Sequence, residues 1–231
     1  MTEITILYDN RASGDLRAGW GFSASIRTDG ATAMLDTGAD KLVLEHNASL
    51  LDINLESVVA LALSHDHCDH IGAVSSVLHQ GLHLYVPQAF ARRFDSVRRS
   101  GINLHAVKSS TDIVPGIRSI GQMGREIPEQ ALLIEGDDGP CLVTGCAHMG
   151  IEKLVKRATE LAGAPMALVL GGFHLFNRKA DEIERVIAQL TNQGVRKVGA
   201  CHCSGDEAME ALRDAWGENF LEISVGTRIN I

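Results

Sequence analysis

The run Ser64-His65-Asp66-His67-Cys68-Asp69-His70-Ile71-Gly72 places three histidines and two aspartates within six consecutive positions. It follows the apolar segment 58–63, which has the pattern of a buried strand. Buried imidazole and carboxylate groups need partners, so a hydrophobic core cannot absorb so many of them. We therefore interpret the run as a metal-binding loop at the end of a strand, and the chain as a metalloenzyme.

The composition fits one soluble globular domain over residues 1–231, with 45% hydrophobic residues and a mean hydropathy of +0.05. No segment reaches the ~20 apolar residues of a membrane span, and the first residues lack the pattern of a secretion signal. We therefore expect a cytoplasmic protein with no membrane partner. The net charge of −8 argues against a nucleic-acid partner. A homo-oligomer is compatible with this composition.

The cysteines indicate thiols near a metal rather than a disulfide framework. Their number, five, is odd, and four of them lie close to histidines, namely Cys68, Cys146, Cys201 and Cys203.

The hydrophobic pattern predicts strands that alternate with helices in both halves of the chain. Predicted strands cover residues 4–8, 21–27, 32–35, 58–63, 82–86, 131–135, 141–144, 166–170 and 195–200. Predicted helices begin near 41 and cover 69–80, 88–100, 150–161, 180–193 and, after a capping box at 204–207, the segment up to 216. The chain finishes with segments 221–225 and 228–231. We expect two sheets packed face to face, with helices outside.

The His-rich run supplies candidate ligands for two metal positions. His65 and His67, two residues apart in an extended loop, can point to one ion, whereas Asp69 and His70 are turned toward a second. Four ligands do not complete two sites, so distant partners are required. Each of the candidate partners follows a predicted strand: His148 and His202 first, then Cys146 and His174.

Mixed nitrogen and oxygen donors suit zinc, with two ions expected, and also Mn²⁺ or Fe²⁺. A metal-bound hydroxide would form near neutral pH, because the ion lowers the pKa of water to about 7. Asp69 and His174 are then the candidate catalytic residues: Asp69 acts either as ligand or as proton acceptor, and His174 is a ligand, a substrate contact or a hydrogen-bonding brace.

Several motifs resemble known families. Ser-His-x-His-x-Asp-His after an apolar strand resembles the signature of the metallo-β-lactamase-fold superfamily, and Met34-Leu35-Asp36-Thr37-Gly38 looks like its upstream strand and turn. Three further segments together resemble the dihydropterin–ribofuranosylaminobenzene phosphate synthase branch: Leu142–His148, Gly171–Leu175 and Cys201–Gly205.

This resemblance implies an α+β fold, an αββα sandwich of two mixed sheets with helices on the outer faces. It also implies His65, His67, Asp69, His70 and His202 as metal ligands, with Asp36 bracing the loop. The chain departs from the superfamily pattern at Cys146, where a bridging aspartate is usual. The usual third histidine has no clear counterpart, so His148 is the candidate substitute, and we expect Cys146 to lie beside the metal.

The substrate is expected to be a small molecule, anionic or pterin-like. Arg92 and Arg93 lie on the predicted helix 88–100, where they form either a solvated basic face or a contact for an anionic group such as a phosphate.

Three functions remain open. The first is a hydrolase that uses a metal-bound hydroxide on an ester, lactone or phosphoester. The second is a synthase of the named branch, joining an aromatic amine phosphate to a pterin diphosphate. The third is a pterin- or nucleotide-binding protein whose metal chemistry is vestigial.

Overall fold

The computed structural model describes residues 2–231 and arranges them as two mixed β-sheets packed face to face. Its strands, numbered β1 to β13 in chain order, are Glu3–Tyr8, Ser23–Arg27, Thr32–Leu35, Ala60–Ala62, His83–Pro87, Asn103–Val107, Thr111–Val114, Ile117–Ser119, Ala131–Ile134, Cys141–Thr144, Leu168–Gly172, Lys197–Cys201 and Arg228–Asn230. Its α-helices, α1 to α5, are Lys41–Leu50, Cys68–Ile71, Ile151–Ala162, Ala180–Asn192 and Asp206–Trp216. Short 3₁₀ helices cover Leu55–Ser57, Val74–Ser76, Ala91–Ser100, His202–Ser204 and Gly217–Asn219.

In each sheet several strands run parallel, and candidate site residues follow the carboxyl ends of these strands. The first sheet has the order β13-β1-β2-β3-β4-β5-β6, and β3 to β6 run parallel. The second has the order β12-β11-β10-β9-β8-β7, and β10, β11 and β12 run parallel. Because parallel strands end at the same edge of a sheet, the loops that follow them lie side by side.

Alternation along the strands builds three apolar layers. In β4 the side chains of Ala60 and Ala62 face the core between the sheets, whereas Leu61 packs with the outer layer beneath α1. Likewise Leu168 and Leu170 of β11 face inward and Val169 packs under α3 to α5. This period-two pattern is what a sheet buried on both faces requires. The predicted αββα sandwich with helices on the outer faces is confirmed.

The helix predicted over 69–80 is wrong. The segment forms only the one-turn α2, followed by the 3₁₀ turn Val74–Ser76. The carbonyl of His70 accepts hydrogen bonds from Thr37 N and Thr37 Oγ1, at 2.8 and 3.0 Å, and the Asp69 carbonyl accepts one from Phe22 N. These carbonyls hold the loop against the first sheet instead of continuing a helical ladder, which orients the side chains of α2.

The capping box predicted at residues 204–207 is also wrong. Helix α5 begins at Asp206 after Gly205, and Ser204 Oγ donates to Cys201 O and accepts from Phe173 N. Ser204 therefore links β12 to the loop after β11. The predicted helix 88–100 is a 3₁₀ helix over Ala91–Ser100, and segment 221–225 lies outside the strands.

Three strands had no sequence prediction: β6, β7 and β8. They are short and rich in polar residues, so their alternation is weak. Pro115-Gly116 between β7 and β8 is the turn signal that could have indicated a hairpin.

Within residues 2–231 no helix combines the length and the apolar character that a membrane span would need.

Candidate metal centre

The predicted site residues gather at one end of the sandwich, where the parallel strands of both sheets terminate. Asp36 follows β3 and the loop from His65 follows β4. From the second sheet, Cys146, His174 and His202 follow β10, β11 and β12. Five loops thus bring together side chains that are as much as 166 positions apart in the chain, from Asp36 to His202.

One donor group consists of His65, His67 and His148. His65 Nε2 lies 3.0 Å from His67 Nδ1 and 3.1 Å from His148 Nε2. Ligands of a tetrahedral zinc ion at ~2.05 Å stand about 3.3 Å apart, so these separations fit a shared ion. The structure therefore brings His148 close enough to His65 and His67 for the three rings to share an ion.

A second donor group consists of Asp69, His70 and His202. His70 Nε2 and His202 Nε2 are 3.2 Å apart, and Asp69 Oδ2 lies 3.7 and 3.4 Å from them. The ligand atoms of this second group lie close enough to one another to hold one ion. The same is true of the first group. The mixture of imidazole and carboxylate donors suits zinc, manganese or iron.

The hydrogen bonds behind the rings fix which nitrogen of each ring faces inward. Asp36 Oδ2 lies 2.7 Å from His70 Nδ1, and because a carboxylate only accepts, that nitrogen donates. Asn10 Oδ1 lies 3.0 Å from His202 Nδ1 and fixes that ring in the same way. Both rings then present Nε2 lone pairs to each other across 3.2 Å, an arrangement that a cation between them stabilises.

Asp36 braces the loop from behind. It is fully buried and accepts Ser64 N–H and Ser64 O–H, both at 2.6 Å, in addition to His70. Ser64 Oγ, having donated its proton to Asp36, accepts from His65 Nδ1 at 2.8 Å. One carboxylate thus orients a ring of each donor group. These contacts are those expected of a residue that braces the loop, which is the role predicted for Asp36.

The backbone at the site is strained or tightly packed. Four non-glycine residues there have φ between 49° and 58°, namely Asp36, Ala147, His174 and His202. A Cβ on Gly145 would lie 2.2 Å from Ser64 Oγ and 2.8 Å from Asp36 Oδ2. The glycine of the motif 142–148 therefore allows the second sheet to approach the Asp36–Ser64 pair.

Cys146 lies between the two donor groups. Its thiol is buried, 3.2 Å from His70 Nε2, and within reach of members of both groups. The Sγ atom of Cys203, one of the cysteines expected near the metal, lies 3.2 Å from Cys146 Sγ. Burial raises the pKa of Cys146; burial also opposes ionisation of Cys203, but hydrogen bonds from Cys146 and His174 outweigh it and lower the pKa of Cys203.

The ionisation of three donors, His65, His148 and Asp69, matches metal binding, whereas the carboxylate of Asp36 raises the pKa of His70 against the effect of burial. Burial, together with the neighbouring His70, lowers the pKa of His65, and burial with His174 lowers that of His148 to about 3. Burial opposes ionisation of Asp69, but the hydrogen bond with His202 and the charge of His70 outweigh it and lower its pKa to about 2. At neutral pH these groups offer imidazole lone pairs and a carboxylate, as ligands must.

His174 lies beside the first donor group. Its ring centroid is 4.3 Å from that of His148, and among residues 2–231 its buried Nδ1 has no hydrogen-bond partner. The hydrogen bond with Cys203 raises the pKa of His174. A cavity of about 310 Å³ opens here, lined also by Lys153 and Arg178. A larger groove, of about 780 Å³, lies at the opposite end of β10, away from the donors.

Three residues that support the site were missed as functional from the sequence. Asp9 accepts His202 N–H at 3.0 Å, and Asn10 Nδ2 donates to His202 O at 2.9 Å. Glu129 accepts hydrogen bonds from the backbone N–H groups of His148 and Met149. Each is a polar residue within two positions of a strand end, a placement that does not by itself reveal the distant partner.

The two arginines predicted as substrate contacts separate in the structure. Arg93 forms an ion pair with Asp66 of the His-rich loop. Arg92 lines a different surface groove, with Gln88 and Asp95. Of the two, Arg93 therefore lies next to the donor loop, and a contact with substrate stays a prediction for both.

Comparison with known proteins agrees with this architecture. No protein-family model matches the chain. A curated relative, the 7,8-dihydropterin-6-methyl-4-(β-D-ribofuranosyl)-aminobenzene-5′-phosphate synthase of Methanocaldococcus jannaschii, is 24% identical over 84% of this chain and 82% of its own length.

Solved structures show the same fold. A metal-dependent hydrolase of the β-lactamase superfamily superimposes with a TM-score of 0.83 at 21% identity, covering 100% of this chain and 99% of the other. A diphosphatase of the PhnP family superimposes with a TM-score of 0.68 at 13% identity, covering 100% and 98%. The chain therefore has the metallo-β-lactamase fold, and the predicted resemblance to the dihydropterin–ribofuranosylaminobenzene phosphate synthase branch is confirmed.

Proposed function

We propose that this protein is a metal-dependent hydrolase that acts on an ester, lactone or phosphoester. The observation that carries the proposal is the pair of adjacent donor groups whose ring nitrogens are turned inward by hydrogen bonds from behind. His65, His67 and His148 would hold one ion, and Asp69, His70 and His202 a second. Bound divalent ions would lower the pKa of water to about 7 and polarise a carbonyl or phosphoryl oxygen.

The surrounding residues supply the other requirements of hydrolysis. Asp69 remains ionised at neutral pH, so its carboxylate could hold metal through Oδ2 and accept a proton from water at its other oxygen. His174 lies beside His148 and lines the same cavity, and it would give a proton to the leaving group. Lys153 and Arg178 line that cavity together with Glu152 and Glu182, and either cation could contact an anionic group of the substrate.

Cys146 gives this centre a sulfur atom where a carboxylate is usual. Its thiol lies within reach of ligands from both groups, so ionisation in the presence of metal would place a soft donor between the two positions. We therefore expect zinc to be preferred over manganese.

The test is a screen of zinc-loaded protein against phosphoesters, carboxylic esters and lactones. His67→Ala and Asp69→Ala are expected to abolish most turnover while the circular-dichroism spectrum stays native. His105→Ala is the matched control, because that histidine stacks on Tyr85 in β5, outside the donor groups. Near-normal turnover in either donor variant would contradict the proposal.

A synthase activity is the second candidate, favoured by the match to the M. jannaschii synthase over most of both chains. It predicts product formation from an aromatic amine phosphate and a pterin diphosphate under conditions where simple esters are inert. A binding protein with vestigial metal chemistry instead predicts less than one bound metal per chain, with no gain when zinc or manganese is added.

A further inference from the structure

Two aromatic side chains stand exposed beside the second donor group. Trp20 and Phe176 expose 55% and 48% of their surface, although both are large and apolar. Their ring centroids are 6.4 Å apart in an edge-to-face arrangement, and the Trp20 ring lies 5.0 Å from that of His202. An exposed aromatic surface next to a cluster of candidate metal-ligating side chains indicates a site of contact with a binding partner.

The backbone beneath Trp20 is rigid. A Cβ on Gly19 would lie 2.3 Å from Tyr8 OH, and one on Gly21 would lie 2.3 Å from the Asp69 carbonyl. The loop between β1 and β2 is further fixed by the hydrogen bonds of Asp9 and Asn10 to His202. Trp20 is therefore held in place while its ring stays open to solvent.

Phe176 is fixed from the other side. Its N–H donates to Cys203 O at 3.3 Å, and a Cβ on Gly205 would lie 2.8 Å from Phe176 Cα. The glycine that follows the last histidine motif thus allows the loop after β11 to pack closely there. Two separate loops, each anchored by glycines and by the residues around His202, present one aromatic ring each.

We propose that Trp20 and Phe176 form a binding surface for a flat aromatic group of the substrate, whose reacting bond then lies over the metal positions. This inference rests on the proposed hydrolase and names its substrate class as aryl or heteroaryl esters. Aromatic rings favour offset or edge-to-face contact with another ring, which a preordered pair offers at low entropic cost. An aliphatic ring of the same size lacks that attraction.

The chain allows a direct measurement, because Trp20 and Trp216 are its two tryptophans. In Trp216→Phe protein loaded with zinc, the fluorescence reports Trp20 alone. The probes are phenylphosphonate and cyclohexylphosphonate, which share the anionic group and resist hydrolysis. We expect phenylphosphonate to change the Trp20 emission saturably and to bind about 10-fold more tightly than cyclohexylphosphonate.

Variants of the natural chain test the same surface by titration calorimetry. Trp20→Ala and Phe176→Ala should each remove most of the preference for the phenyl probe, and should raise KM for phenyl esters with little change in kcat. Val59→Ala is the control, because Val59 is also an exposed apolar residue but precedes β4, at the end away from the donors.

Equal affinity for both probes, or a phenyl preference that survives both alanine variants, would overturn the inference. So would a dimer that becomes monomeric on Trp20→Ala in sedimentation experiments, since the rings would then be covered by a second copy. A phenyl preference without hydrolysis of any ester would contradict the proposed function alone. Equal kcat/KM on phenyl and alkyl esters would contradict the aromatic surface alone.

Discussion

Replacing Asp36 by Asn removes the charge that orients both donor groups. The buried carboxylate accepts three hydrogen bonds, from Ser64 N–H, Ser64 O–H and His70 Nδ1–H. An amide at this position has one oxygen, so at least one buried donor then faces an NH₂ group. An unsatisfied buried group and a lost charge-assisted bond together cost about 2–4 kcal/mol of unfolding free energy. Since Asn tolerates the positive φ of 58° at this position, backbone strain does not confuse the comparison.

The assay is denaturant and thermal unfolding of the metal-free protein, with zinc affinity measured by chelator competition. For a chain of this length, the loss corresponds to a fall in Tm of about 4–16 °C, and zinc affinity should fall about 10- to 100-fold. Asp40→Asn is the matched control, because Asp40 is the exposed N-cap of α1 and Asn caps equally well. Unfolding within 0.5 kcal/mol of wild type and unchanged zinc affinity would refute the reasoning.

Three further predictions concern pH, packing and chemistry. Burial and the neighbouring His174 lower the pKa of His148 from its ordinary 6.5 to about 3 in the folded protein, so the unfolded state binds more protons between these values. Stability of the metal-free protein therefore rises with pH across that window, and urea unfolding should show a shallower rise in His148→Ala. Gly145→Ala should cost about 1–3 kcal/mol by collision with Ser64, whereas Gly30→Ala, with open space around it, should be nearly neutral in the same assay. Asp69→Asn should lower kcat far more than it raises KM in steady-state kinetics; a change confined to KM would remove its role in proton transfer.

The sequence predicted the site better than the connecting structure. The density of ligands in residues 64–72 and the repetition of histidines after strands depend on local sequence, so the loop, His148 and His202 could be proposed as donors without the fold. The structure brings these donors close enough together to share metal ions. The inward orientation of the rings depends on Asp9, Asn10 and Asp36, of which only Asp36 carried a motif. Partners that far apart in the chain leave no local signal.

The errors in secondary structure have a common physical cause. The apolar residues within 69–80 have helical spacing. However, Thr37 N–H and O–H donate hydrogen bonds to the His70 carbonyl, and α2 ends after one turn. Ser204 has the sequence of a helix cap, but its hydroxyl joins two strand-end loops. In both places a tertiary hydrogen bond that builds the site overrides the local preference.

The most direct test of the central claim is the zinc content of purified protein after loading and removal of loosely bound metal by gel filtration. The two donor groups predict two zinc ions per wild-type chain and one per chain in His148→Ala, which lies in the first group alone. Less than one zinc per wild-type chain, or a content unchanged by His148→Ala, would contradict the assignment of the metal centre.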